Sequence, residues 1–143
     1  MDSSIRVDSG EAWRASTWLG AAAAAHGVPA ETLSRLDVCV TEAVANAIDH
    51  GGAGTGASPI HLRLEVQRNG NGGEAAVTIS DAGNRYDPLA ATPRARPRTL
   101  AEAEPGGLGL TMLRRFADAL DYSYREGKNH LTIRVRWNQE EAP

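Results

Sequence analysis

Apolar residues recur along this chain with two different periods, and each period predicts a different kind of element. Between about residues 30 and 50 they return every three or four positions, so this segment is predicted to be a helix with one stripe facing a core. These apolar residues are Leu33, Leu36, Val40, Val44 and Ile48. Pro29 lies near the predicted start of the helix, and Gly51-Gly52 is expected to end it. An earlier helix is predicted from about Glu11 to His26, stopped by Gly27.

Strict alternation begins at Ile60 and predicts half-buried strands. The first strand continues to Val66, and the turn Asn69–Gly73 leads into a return strand through Ala75, Val77 and Ile79. Near the end of the chain we expect a helix from Gly109 to Leu120 and two further strands. These strands are placed near Asp121–Arg125 and Leu131–Trp137, joined by the turn Glu126–Asn129. Helices on one face of a largely antiparallel, mixed sheet make an α+β two-layer sandwich.

A long stretch with little periodicity separates the return strand from the last helix. Residues from about 82 to 105 include four prolines: Pro88, Pro93, Pro97 and Pro105. A loop of this length inside a compact domain is usually a lid or a disordered segment. We therefore treat about 84 to 106 as a candidate lid. Its arginines Arg94, Arg96 and Arg98 could contact phosphates, or they could simply be solvated.

Polar residues form a second stripe on the long helix. Glu42, Asn46 and His50 follow one another four residues apart, beside the apolar stripe. A polar file next to an apolar face suits the wall of a buried polar pocket, although the same pattern fits a solvated face. In the pocket interpretation, the Asn46 carboxamide oxygen could bind Mg²⁺, which needs only one or two protein oxygens. Glu42 could accept a proton from an attacking hydroxyl or water.

Two further segments could bind a nucleotide. Asp81 has the same parity as Val77 and Ile79, so its carboxylate should point to the helix-covered side and could accept a hydrogen bond from an exocyclic amino group such as that of adenine. Gly83 would let a flat ring approach the backbone. An Asp that caps a turn is the alternative. Gly106–Leu110 precedes a helix and could supply backbone N–H groups to phosphates, or it could be a plain loop.

Composition narrows the classes of protein. The chain has 143 residues and is expected to form a single domain. Its net charge of -3 gives no electrostatic footprint for nucleic acid. Cys39 is the lone cysteine, the four histidines lack zinc-ligand spacing, and no apolar run is long enough to span a membrane. The run of alanines after Gly20 lacks the charged start of a signal peptide, so a cytoplasmic location is expected.

The three polar segments, taken in order, carry a specific resemblance. E-A-V-A-N-A-I-D-H from Glu42, S-D-A-G from Ser80 and G-G-L-G-L from Gly106 resemble the N box and the two glycine boxes of the GHKL ATPases. These ATPases share the Bergerat fold with gyrase and sensor histidine kinases. The motif E-A-V-x-N-A-x-x-H is most similar to that of the partner-switching anti-sigma serine kinases of the RsbW and SpoIIAB type. The resemblance covers about Arg35 to Trp137.

The resemblance implies roles for individual residues. Glu42 would be the catalytic base, Asn46 would hold Mg²⁺, and Asp81 with Gly83 would bind the adenine of ATP. The phosphates would lie on the run Gly107, Leu108, Gly109 and Leu110, under an ATP lid around Ala90–Pro105. Two departures stand out: many relatives have a second glycine two residues after Gly83, which this chain lacks, and Lys128–Thr132 fits poorly with the family's usual small hydroxyl residue before the last strand. Thr132 is therefore left out of the site, since its register could put it on the wrong face.

The resemblance also implies a function. The chain would be an ATP–Mg²⁺-dependent protein-serine kinase that phosphorylates a STAS-domain anti-anti-sigma protein and otherwise holds a sigma factor inactive. A homodimer is expected, with Ser3–Val7 and the first helix as contact surface. The alternative is a nucleotide-holding module that sequesters a partner without transferring phosphate. A detached catalytic half of a histidine kinase would need an additional dimerising helical hairpin, for which one filled domain leaves no room.

Overall fold

A computed structural model describes residues 2–50, 59–89 and 107–138 of the chain. In order, the elements are β1 (Asp2–Val7), a 3-10 turn (Ser9–Glu11), α1 (Trp13–Ala25), α2 (Ala30–His50), β2 (Ile60–Asn69), β3 (Gly72–Asp81), α3 (Gly107–Phe116), β4 (Ala119–Arg125) and β5 (Lys128–Asn138). The five described strands form one sheet in the order β1-β2-β3-β5-β4, and all four pairings are antiparallel. Helices α1 and α2 pack on one face of this sheet. The predicted α+β two-layer sandwich is confirmed.

The core lies between α2 and the sheet, where the two periodicities meet. The apolar stripe of α2 buries Leu36, Val40 and Val44, as the helical spacing predicts. The alternating residues of the strands supply the opposite wall of the core. Fully or almost fully buried among them are Leu62, Leu64, Val77, Ile133 and Val135. Packing of this stripe against the inward residues of the sheet fixes which side of α2 faces the strands.

Tight turns fix the register of the two hairpins. Gly70, at φ 58°, lies between β2 and β3. Glu126 and Gly127, at φ 55° and 74°, connect β4 to β5. Two consecutive residues with positive φ are typical of a type I′ turn, whose twist matches that of the flanking strands. Both hairpins are confirmed, with shorter loops and longer strands than the alternation alone indicates.

Two expectations about boundaries need correction. The pattern predicts a helix as far as Leu120, but α3 ends at Phe116 and Leu120 belongs to β4. The Asp118 N–H donates to the carbonyl of Arg134 at 2.8 Å, so the chain already joins the sheet at that point. No element was assigned to Ser3–Val7, whereas β1 pairs with β2 along Asp2–Val7. Inward alternation of only three residues is too short a signal to identify an edge strand.

Candidate functional site

A cleft opens between α2 and the ends of the central strands. It contains about 400 Å³ of empty space, part of it open to solvent. Its walls are largely apolar with a few polar groups. The lining residues are Ala43, Asn46 and Ala47 from α2, Ile79, Asp81, Asn84, Tyr86 and Pro88 from β3 and the segment after it, and Tyr122, Asn129 and Leu131 from β4 and β5.

Asp81 occupies the base of this cleft, at the last position of β3. It is only 8% exposed and shares its face with the buried Ile79, so the predicted inward direction is correct. Its Oδ1 accepts hydrogen bonds from the backbone N–H of Gly83 at 2.9 Å and from Asn129 Nδ2 at 3.1 Å. The first bond is the turn-capping bond of the alternative interpretation. Asp81 therefore caps its own turn and faces the cleft at the same time.

The predicted place of Gly83 beside adenine stays a prediction. Gly83 does not line the described part of the cleft, and its observed contribution is the backbone N–H that Asp81 accepts. The segment that follows begins the predicted lid. Within residues 84–89, Asn84, Tyr86 and Pro88 do line the cleft. The rest of the predicted lid, including Arg94, Arg96 and Arg98, lies outside the described residues, as does Gly106.

Asn46 lies in the wall of the cleft that α2 provides. Its side chain is 6% exposed, and among the described residues it has no hydrogen-bond partner. The carboxamide carries an acceptor oxygen and a donor NH₂, the two kinds of group that could bind a ligand in the cleft. Glu42 lies one turn earlier on α2, is half-buried and does not line the described part of the cleft. His50 ends α2, and its side chain lies outside the described part of the chain, as does the Gly51-Gly52 that was expected to end the helix.

The glycine-rich run forms the start of α3 itself, two residues earlier than the predicted helix start at Gly109, and its phosphate-binding role stays a prediction. Gly107, Leu108, Gly109 and Leu110 form the first turn of α3. The first N–H groups of a helix have no partner within the helix and attract anions. The other end of α3 is attached to α2, because Arg35 Nε donates to the carbonyl of Phe116 at 3.2 Å.

Asn129 is a site residue that the sequence pattern did not identify. It is 7% exposed and lies opposite Asp81 in the β3–β5 ladder. The alternation of β5 could have indicated it, because Asn129 has the same parity as the inward Leu131 and Ile133. Thr132 has the opposite parity and hydrogen-bonds Thr78 across the strands at 2.9 Å. The structure therefore agrees with leaving Thr132 out of the site.

Tyr122, also missed, contacts the same cluster from β4. Its hydroxyl donates to Asn129 Oδ1 at 2.5 Å. Burial raises the pKa of the Tyr122 phenol above its ordinary value, against an opposing effect of Arg85. The phenol thus remains a protonated hydrogen-bond donor at neutral pH.

The fold and the cleft define a class of protein, an α+β two-layer sandwich domain with a cleft between a long helix and an antiparallel sheet. The chain belongs to the histidine kinase-like ATPase domain family, whose model matches residues 8–137. The resemblance indicated by the three sequence boxes is therefore confirmed. Among the described helices, none is long and apolar enough to cross a lipid bilayer.

Comparison with known proteins places the chain near one curated kinase. It is 39% identical over 98 residues to the serine/threonine-protein kinase BtrW of Bordetella bronchiseptica, and the match covers 68% of this chain and 66% of that protein. The chain therefore spans slightly less than two thirds of the length of this curated relative.

Two solved structures share the fold. The RsbU and RsbW domains of Rv1364c from Mycobacterium tuberculosis superpose with a TM-score of 0.65 at 16% identity, covering 94% of this chain and 32% of that one. The SiaB–SiaC complex from Pseudomonas aeruginosa gives a TM-score of 0.53 at 15% identity, covering 96% of this chain and 89% of that chain. At these identities the likeness concerns the fold alone.

Proposed function

We propose that this chain is an ATP–Mg²⁺-dependent protein-serine kinase that acts in the cytoplasm as a partner-switching regulator. Its substrate would be a serine of a STAS-domain anti-anti-sigma protein. When that protein is already phosphorylated, the kinase would hold a sigma factor or a similar regulator inactive. The 39% identity to a serine/threonine-protein kinase supports phosphotransfer as the reaction.

The observation that carries the proposal is that Asn46 and Asp81, which are 35 positions apart in the sequence, line one cleft. Both offer groups that suit a nucleotide. Both hydrogen bonds to Asp81 from described residues end on Oδ1, which leaves Oδ2 to accept from an exocyclic amino group. Apolar walls at Ile79 and Leu131 would flank a planar base. The described residues therefore fit the adenine end of ATP.

The Mg²⁺ ion and the phosphates of ATP would lie between α2, near Asn46, and the start of α3. The Asn46 carboxamide would offer its oxygen to Mg²⁺, which supplies charge neutralisation of the phosphates when bound. Glu42 would accept the proton of the attacking serine hydroxyl. The carbonyl of Phe116, at the end of α3, accepts a hydrogen bond from Arg35 of α2. Since α3 has ten residues, it is about 15 Å long. An antiparallel course of α3 along α2 would therefore bring the N–H groups of Gly107–Leu110 level with Asn46.

The direct test is phosphate transfer to a partner. The full chain is incubated with γ-labelled ATP, Mg²⁺ and a recombinant STAS-domain protein, and label on the STAS protein is measured with and without EDTA. Transfer that requires Mg²⁺ and is lost when the acceptor serine is replaced by Ala supports the kinase. Nucleotide binding without any transfer would instead support the sequestering module, and absence of nucleotide binding would overturn both.

A homodimer remains part of the proposal. The expected contact surface is β1 with α1, where Trp13 is 67% exposed at the start of the helix. A large exposed indole is typical of residues that anchor an interface. Light scattering of the wild-type chain and of Trp13→Ser tests it. A monomeric wild-type chain, or a variant that dimerises equally well, would remove this surface from the proposal.

A further inference from the structure

The side-chain amide of Asn129 uses its complete hydrogen-bonding capacity. Nδ2 donates to Asp81 Oδ1 at 3.1 Å and to the carbonyl of Asn84 at 2.8 Å. Oδ1 accepts from the backbone N–H of Tyr86 at 3.0 Å and from the hydroxyl of Tyr122 at 2.5 Å. A carboxamide has two donor hydrogens and an oxygen with two lone pairs, so all four places are filled.

This saturation fixes the orientation of the amide. Turning the group over would place its NH₂ against the Tyr86 N–H, and its oxygen against both the Asn84 carbonyl and Asp81 Oδ1, which are three unfavourable contacts. Because Asn129 is 7% exposed, water offers little compensation for a lost partner. Nδ2 is therefore held facing Asp81.

The fixed amide in turn fixes the carboxylate. Two donors from different elements, Gly83 N–H and Asn129 Nδ2, converge on the single oxygen Oδ1 of Asp81. A carboxylate held through one oxygen can rotate little, so its other oxygen keeps a constant direction. No described residue donates to that oxygen, and Asp81 lines the cleft.

We propose that Asn129 is a positioning residue for base recognition: it holds Asp81 so that Oδ2 accepts a hydrogen bond from the 6-amino group of a purine and disfavours a 6-oxo group. This inference rests on the proposed function, because it requires that a nucleotide occupies the cleft. A carboxylate oxygen accepts hydrogen bonds only, so it pairs with an amino group and repels a carbonyl. Discrimination of this kind depends on a fixed acceptor, since a mobile carboxylate could turn away from the wrong base.

The experiment compares ADP with inosine diphosphate (IDP), which carries a 6-oxo group in place of the 6-amino group. Titration calorimetry of the full chain with Mg²⁺ gives the ratio of the two affinities. In Asn129→Ala, ADP affinity should fall about tenfold and IDP affinity by less than about twofold, so the ratio should fall several-fold. Thermal unfolding monitored by circular dichroism shows whether the variant remains folded.

Tyr122→Phe provides a milder variant, because it removes one donor to Asn129 and keeps Asn129 itself. Its ADP-to-IDP ratio should fall about two- to threefold. Thr132→Val is the matched control. It lies on the same strand and loses one side-chain hydrogen bond of 2.9 Å, but on the face away from the cleft. Its ratio should equal that of the wild type.

The outcomes separate the inference from the function on which it rests. An unchanged ratio in folded Asn129→Ala, or equal losses for both nucleotides, would overturn the positioning role while leaving nucleotide binding intact. If Asn129→Ala does not fold, the ratio in Tyr122→Phe decides in the same way. A wild-type chain that binds neither nucleotide would instead overturn the proposed function.

Discussion

Asp81 and Asn129 lie directly opposite each other on the neighbouring strands β3 and β5, and the Asn129 amide donates to the Asp81 carboxylate at 3.1 Å. Both side chains are more than nine-tenths buried. Buried polar groups need partners, and here each supplies part of the other's requirement. The pair thus stabilises the sheet end and leaves one carboxylate oxygen facing the cleft.

We expect Asn46→Ala to weaken Mg²⁺-dependent nucleotide binding by about tenfold or more, because a metal ligand would be lost. Calorimetry with ADP in the presence of Mg²⁺ and in the presence of EDTA measures this dependence. Asn46→Asp is the matched control, since it retains an oxygen at the same position and should retain the Mg²⁺ effect. Equal Mg²⁺ dependence in Asn46→Ala and the wild type would count against the metal assignment.

Glu42→Ala should reduce phosphate transfer by about 10²- to 10⁴-fold, because a general base would be removed. ADP affinity should stay within about twofold of the wild type, since Glu42 does not line the described part of the cleft. Transfer to a STAS-domain protein and calorimetry give the two values. Glu65→Ala, an exposed carboxylate on β2, should leave both unchanged. Normal transfer by Glu42→Ala would remove Glu42 from the catalytic role.

Two glycines in and after α1 should respond to alanine in opposite directions. Gly27 has φ +74°, a conformation that L side chains rarely adopt, and an added Cβ would also meet Arg68 Nη2, so Gly27→Ala should destabilise the protein by about 1–2 kcal/mol. Gly20 lies inside α1 with nothing within 4 Å of an added Cβ. Gly20→Ala should therefore stabilise by about 0.5–1 kcal/mol. Urea unfolding followed by tryptophan fluorescence measures both, and changes of the same sign would contradict this account.

Cys39 should make stability depend on pH in the alkaline range. Burial raises the pKa of its thiol from 9.0 to about 11, against a smaller lowering effect of Arg35. The folded state then holds this proton more tightly than the unfolded state, so the stabilisation is complete below about pH 9 and is lost as the pH rises towards 11. The pKa difference corresponds to roughly 2–3 kcal/mol.

The difference in free energy of unfolding between wild type and Cys39→Ala, measured at several pH values between 7.5 and 11, isolates this contribution. Titration of other groups affects both proteins and cancels. The difference should shrink with rising pH above about 9. Parallel stability curves for the two proteins would show that the thiol ionises equally easily in the folded and unfolded chain.

Local patterns predicted the helices and strands that have strong periodicity. They also predicted which side chains on those elements face inward. The stripe of α2 and the parity of β3 were sufficient to place Asn46 and the inward Asp81 correctly. Asn129 was missed because it was assigned to the turn Glu126–Asn129, whereas β5 begins at Lys128. Its inward parity could be deduced from β5, but its position opposite Asp81 depends on the register between β3 and β5. The metal role of Asn46, the catalytic role of Glu42 and the lid around residues 84–106 stay predictions.

The boundary errors have equally local causes. β1 is an edge strand of six residues whose stability comes from pairing with β2, which lies more than fifty positions away. The end of α3 was misplaced because Leu120 continues the helical spacing, while the bond from Asp118 to Arg134 depends on tertiary structure. Tertiary contacts override local periodicity at such positions.

The strand order links folding of the chain to binding of a ligand in the cleft. β3 and β5 bring together side chains that are 48 positions apart in the sequence, so the unfolded polypeptide contains no preformed version of the cleft. Any small molecule that binds there must shift the folding equilibrium by mass action and raise the melting temperature as its concentration increases. The cellular level of such a molecule would thereby set how much of this polypeptide escapes proteolysis, independently of any reaction it undergoes.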